Sequence, residues 1–118
     1  MKRFIVVNRM EPDKAVAYLS YDPKNRNFQL SLNKNAQKEA FQGMLRVFYD
    51  KKMYEPGEKW SARWVRERVT PSERQGMGTI LRENRMKCYD EMTFLEKNRG
   101  LSVQDDLMIK PIGETKLN

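Results

Sequence analysis

The side chains with the most chemistry to offer in this chain are cationic, and they are concentrated. From Lys59 to Lys87 there are eight basic residues against three acidic ones, Glu67, Glu73 and Glu83. Six of the eight are arginines, whose planar fork donates paired hydrogen bonds to phosphate or carboxylate better than an ammonium does. The candidate binding set is therefore Arg63, Arg66, Arg68, Arg74, Arg82, Arg85 and Lys87. Its expected partner is anionic: nucleic acid, or an acidic or nucleoprotein surface.

Catalytic templates are poorly served by comparison. The chain has no histidine, which removes Ser-His and Cys-His pairs and most zinc sites. Its one cysteine, Cys88, can form neither an intramolecular disulfide nor an all-cysteine zinc site, and reads as a partly buried small apolar residue. Asp90, Glu91, Asp105 and Asp106 offer carboxylates of the kind that hold Mg²⁺. Adjacent Asp side chains usually point apart, so capping or ion pairing with the arginines is the simpler role for them. Gly76 and Gly78, in GMG, follow no strand and make a weak phosphate loop. They read instead as places of close helix approach. The expectation is a non-enzymatic protein with no cofactor and no metal site.

Composition agrees with a binding role. There are 23 Lys and Arg against 16 Asp and Glu, a formal charge of +7, and such a field attracts polyanions before any specific contact forms. At 118 residues, 39% apolar and 33% charged, the chain suits a single modest core, with five Phe, five Tyr and two Trp to fill it. The apolar run Phe4 to Val7 is too short for a signal segment or a membrane span. With a lone cysteine, the cytoplasm is the expected compartment and no membrane partner is expected.

The elements that must position these groups follow from periodicity and turn chemistry. Phe4 to Val7, Ala15 to Asp22 and Phe28 to Leu32 read as strands, the last two joined by the turn-forming DPKNRN. A meander over 4–33 needs a helix to cover its apolar face. From Ala36 onward, Phe41, Met44, Leu45 and Phe48 fall on one helical side, with Gly43 inside the stretch. A second helix from Glu58 holds Trp60 and Trp64 one turn apart, both favoured as core. Thr70, Pro71 and Glu73 form a capping-box start for a third helix, with Met77, Ile80 and Leu81 on its buried side. Tyr89 and Asp90 read as staple and cap for a helix carrying Met92, Phe94 and Leu95, which ends at Gly100. A capped turn over Ser102 to Asp106 then leads to a short strand, LMIK, before Pro111. The fold class predicted is α+β: a three-stranded antiparallel meander over 4–33 packed against a helix, followed by a small, mainly helical part over 35–110 with a short final strand, in one domain of residues 1–112, with 113–118 a loose tail.

The pattern W-x3-W-x3-R-V-x-P-S-x-R, carried by Trp60, Trp64, Arg68, Val69, Pro71, Ser72 and Arg74, together with the ending GLSVQDDLMIKP, resembles small uncharacterised bacterial and mobile-element proteins. It is similar to the segment that precedes HipA-like kinase domains. The likeness implies a phage or mobile-element setting and no transferable chemistry, since the kinase domain itself does not match any part of this chain.

Two roles follow. The first is a small basic protein that contacts the nucleic acid backbone through the arginine face. The second is a docking or inhibitor module acting on a host nucleoprotein complex, with an anti-CRISPR-like or toxin-antitoxin accessory role, anchored by Trp60, Trp64 or Tyr54. A helix-turn-helix reading, with Glu91 to Asn98 in the major groove, is weaker because that helix offers little to read a base edge.

Overall fold

The computed structural model describes residues 1–112, and the tail over 113–118 lies outside the described residues. Strand β1 (Lys2–Asn8) turns through Arg9 and Met10 into β2 (Glu11–Asp22), with Asn8 Oδ1 accepting from the Met10 amide at 2.8 Å. The Pro23 to Arg26 turn leads to β3 (Asn27–Leu32) and is held by Asp22, whose carboxylate accepts from the Lys24 amide and the Asn25 side chain. The predicted meander is therefore present. The short last strand, β4 (Leu107–Pro111), pairs antiparallel with β1, so the sheet has four strands in the order β3-β2-β1-β4. The fold is α+β.

Alternation decides which side of the sheet is buried. Phe4, Val6, Ala17, Leu19, Tyr21, Phe28, Leu30, Leu32, Leu107 and Ile109 form the inner face. Arg3, Tyr18 and Gln29 are exposed on the outer one. Near the β1–β2 turn the register shifts at Val6/Val7 and again at Val7/Asn8. The period of two is lost there, and Val16 and Ala17 are both buried.

The helices differ from expectation in two places, and glycine is the physical reason in both. No helix runs through 36–48. A 3-10 turn, Lys38–Ala40, is followed by extended Phe41, and α1 (Met44–Asp50) starts only after Gly43, whose φ of +58° no helix can contain. Phe41 is buried all the same, stacked on Tyr49 at 4.5 Å. Likewise TPSE does not start a helix. Residues 70–76 form turns, and α3 (Met77–Glu83) begins after Gly76 at φ +80°, with no side-chain cap. Nor is either glycine of GMG a close-approach site: nothing lies within 4 Å of a Cβ built on Gly76, and only the Arg82 guanidinium does so at Gly78.

The element that closes the sheet is α2 (Glu58–Arg66), which packs on the free edge of β3. Ser61, fully buried, accepts the Leu30 amide at 2.8 Å on its Oγ and donates to the Gly57 carbonyl at 2.6 Å. Next to it the Leu32 amide donates to the Tyr54 carbonyl at 2.7 Å. Two edge donors that would otherwise invite another strand are thus occupied.

The last helix, α4 (Glu91–Asn98), matches its sequence signals. Asp90 caps it by accepting from the Thr93 amide at 3.2 Å, and Tyr89 staples onto Phe94 with ring centroids 5.3 Å apart. Met92, Phe94 and Leu95 join Trp64, Val65, Leu45, Phe48 and the inner sheet face in one contiguous core. Met77, Ile80 and Leu81 of α3 pack against it, partly buried. No described helix is long and apolar enough to cross a membrane.

Candidate nucleic-acid interface

Arg68 leaves the binding set. It is 7% exposed, its guanidinium lies over the Trp64 ring at 4.4 Å from the centroid, and every part of its fork is engaged internally. Nε donates to the Gly100 carbonyl at 2.7 Å, Nη1 to Asp105 Oδ2 at 3.1 Å, and Nη2 to Asp105 Oδ1. At the other end of the residue, the Asn98 side chain donates to the Arg68 carbonyl at 2.7 Å. The stretches Trp64 to Val69 and Gly100 to Pro111 therefore meet at one ion pair, and its role is architectural. Asp105 pairs with an arginine, as expected for this carboxylate, and Asp106 reaches Arg9 at 3.5 Å.

The remaining cations are exposed, but they do not all converge. Arg63 sits over Trp60 at 5.7 Å and pairs with Glu67 at 3.6 Å, which spends part of its charge locally. Arg74 lies in the turn before α3, and Arg82 donates to Thr79 Oγ1 at 3.2 Å on α3 itself. Arg66, at the end of α2, lies near Tyr89 and Glu91. Burial pushes the Glu91 carboxyl above the ordinary glutamate range, and the Arg66 charge offsets part of that rise.

Arg85 and Lys87 do come together with other cations. The loop after α3 carries Arg85 in the left-handed region at φ +58° and continues through Lys87 to Tyr89. It faces the β2–β3 turn, where Arg26 also has a positive φ of +56°. Between them runs an open groove of about 570 Å³, lined by Lys2, Arg26, Arg85 and Lys87 above Tyr21 and Tyr89. Two carboxylates share it, and both are already committed: Asp90 caps α4, and Glu96 pairs with Lys2 at 3.0 Å. Arg26, Arg85 and Lys87 make no ion pair among the described residues.

The aromatic floor of the groove is polar at its edge. Tyr89 donates its hydroxyl to the Thr70 carbonyl at 2.7 Å, and Tyr21 packs on Phe28 at 4.7 Å. Burial raises the phenol pKa of both; for Tyr21, Asp90 raises it further, while Arg26 and Lys2 pull it back. The groove can therefore receive an anionic, oxygen-rich group between two loops, with apolar ring surface beneath. Lys2 and Arg26 were not in the sequence-derived set, because they lie far along the chain from Lys59–Lys87. The basic character of KNR in the hairpin loop is the signal that points to Arg26.

Other sequence expectations separate cleanly. The tryptophans split: Trp64 is buried at 1% and Trp60 is 41% exposed. Cys88 is exposed on the rim of the groove, not partly buried, because Met86 and Tyr89 are the side chains its loop turns onto the core. Among the described residues no three His, Cys, Asp or Glu side chains cluster as metal ligands. The solvent side of α4 carries Glu96 and Lys97, a poor surface for reading base edges. Comparison with protein-family models, curated proteins and solved structures gives no match to this chain.

Proposed function

We propose that this chain is a small, non-enzymatic basic protein that holds nucleic acid by its backbone, with phosphates seated in the groove between the β2–β3 turn and the α3–α4 loop. The observation that carries the reading is the convergence of Arg26, Arg85 and Lys87, unpaired among the described residues, on one concave surface. Phosphate contacts of this kind position a nucleic acid without reading its sequence. Arg66, whose charge reaches Tyr89, adds to the positive field at the groove, and the formal charge of +7 favours long polyanions over small acidic ligands. The resemblance of the second half to mobile-element proteins supports a phage or mobile-element setting, and the single cysteine supports the cytoplasm. An electrophoretic shift with mixed-sequence DNA and RNA at low salt tests the reading. Retarded bands with both are expected, and free nucleic acid at micromolar protein overturns it.

A second reading, docking on a host nucleoprotein complex, is favoured by Trp60. Its ring meets Phe48 edge-on at 6.0 Å and stays 41% exposed, and Val47, next to Phe48 in the chain, is 50% exposed. Tryptophan is among the residues that most often anchor a protein interface. Such an interface would be far less sensitive to salt than phosphate binding, and Trp60→Ala would weaken it while leaving nucleic-acid affinity unchanged.

A further inference from the structure

The outer face of the sheet is not covered by any helix or strand among the described residues. Strand pairing places Ser31, Tyr18, Ile5 and Lys110 in one row across the four strands, and Gln29, Ser20 and Arg3 in the next. Tyr18 is the aromatic residue of these rows, central in the sheet and 41% exposed. It sits in a concavity of about 470 Å³ that also takes in Arg3, Ser20, Gln29, Ser31 and Glu55. That volume is in the range of small-ligand sites, roughly 300 to 1,000 Å³.

We propose that this face binds a single-stranded segment of nucleic acid, with one base stacked on the Tyr18 ring and its phosphate held by Arg3. The proposal rests on the nucleic-acid reading above and adds the form of the ligand and a second contact surface. The concavity holds one cation, Arg3, and one carboxylate, Glu55, while Lys110, in the row beside it, is partly engaged with the Pro12 carbonyl at 3.0 Å. Arg3 is therefore the freer phosphate ligand. Gln29 lies two strands away from Arg3, about 10 Å at ordinary strand spacing, with Glu55 beyond it on the rim of the concavity. A base on Tyr18 would thus turn its polar edge toward Gln29, Ser31 and Glu55 while its phosphate faces Arg3. Bases inside a duplex are already stacked and paired, so a ring set in the middle of a sheet can engage only an unstacked one. A second copy of this chain is a poorer occupant than a polyanion, because each copy carries a formal charge of +7.

Fluorescence anisotropy of the full chain with labelled single-stranded oligonucleotides and with a blunt duplex tests the proposal. Tyr18→Ala is expected to weaken single-strand binding roughly ten-fold, to leave duplex binding unchanged, and to be matched in direction by Arg3→Gln. Tyr18→Phe keeps the stacking surface and should bind as the parent does. Arg85→Gln with Lys87→Gln is expected to weaken both forms, which reports on the groove separately. Unchanged single-strand affinity in Tyr18→Ala, or a loss in Tyr18→Phe equal to that in Tyr18→Ala, would overturn the sheet-face site while leaving the groove standing. A parent chain that binds neither form removes the underlying reading together with this one. If sedimentation shows a parent dimer that Tyr18→Ala dissociates, the face is a self-association surface and the proposal is wrong.

Discussion

The guanidinium of Arg68 and the carboxylate of Asp105 form a buried two-point ion pair, 4% and 9% exposed at their side chains, that ties the end of α2 to the segment delivering β4. The same arginine also donates to the Gly100 carbonyl, and the next carbonyl back, that of Arg99, accepts the β4 amide of Ile109 at 2.9 Å. The position of the fourth strand beside β1 is therefore set from both ends of the loop between α4 and β4. Breaking such a pair by removing one partner leaves a buried charge uncompensated, at about 3 to 5 kcal/mol. Arg68→Met and Asp105→Asn are each expected to lower the unfolding free energy read from urea titration by that order, and the double variant by less than the sum. Nucleic-acid affinity per folded molecule should be untouched by either change. A loss of affinity without a loss of stability would return Arg68 to the binding surface.

Ser61 makes a comparable contribution at the opposite edge of the sheet. Its hydroxyl is the acceptor for the Leu30 amide, and both groups are buried. Ser61→Ala leaves that amide without a partner at an expected cost of about 1 to 3 kcal/mol. Hydrogen exchange at Leu30 should accelerate more than at Leu19, which lies inside the sheet across from it. Equal acceleration at both would mean that the change acts on global stability alone.

Glu91 gives the pH dependence a defined sign. Burial raises its folded-state pKa, Arg66 lowers it by less, and Asp90 raises it further. A carboxyl with a raised folded pKa contributes stability that is fully present below its unfolded value and is lost as pH rises through the folded one. Asp22 acts in the opposite sense: hydrogen bonds from Asn25 and the Lys24 amide lower its pKa, so its contribution appears above the ordinary aspartate range and is lost on acidification. Glu91→Gln should therefore make stability rise more, or fall less, between the ordinary glutamate range and neutrality. Urea midpoints across that interval check it, and a parent Glu91 that titrates at or below the ordinary range contradicts it.

What was legible in the sequence was what depends on near neighbours. The β2–β3 turn, the Asp90 cap, the Tyr89 staple and the strand at LMIK are each specified within about six residues, and each is present. Two local signals failed because glycine outweighed them. The apolar spacing from Phe41 to Phe48 and the TPSE box both favour helix, but Gly43 and Gly76 hold positive φ inside or just beyond them. The turn before Gly43 buries Phe41 against Tyr49, and the one at Gly76 starts α3 where Met77, Ile80 and Leu81 pack on the core. Gly100 and Asp105, which hold the Arg68 fork, and Leu30, whose amide Ser61 accepts, lie more than thirty residues away in sequence, and no periodicity reports a contact of that range. The same holds for the candidate site: Arg85 and Lys87 were legible as cations, while their meeting with Arg26 and Lys2 is a product of the fold.

The most direct test of the account is the salt dependence of duplex DNA binding by the parent chain and by Arg26→Gln/Arg85→Gln/Lys87→Gln. Each phosphate contact contributes about 0.9 to the slope of log affinity against log salt, so removing three should flatten the slope by about 2 to 3 and weaken binding throughout. These side chains are exposed and make no ion pair among the described residues, so the melting temperature should stay close to that of the parent. A triple variant that binds with the parent's affinity and slope would show that the groove does not hold phosphate.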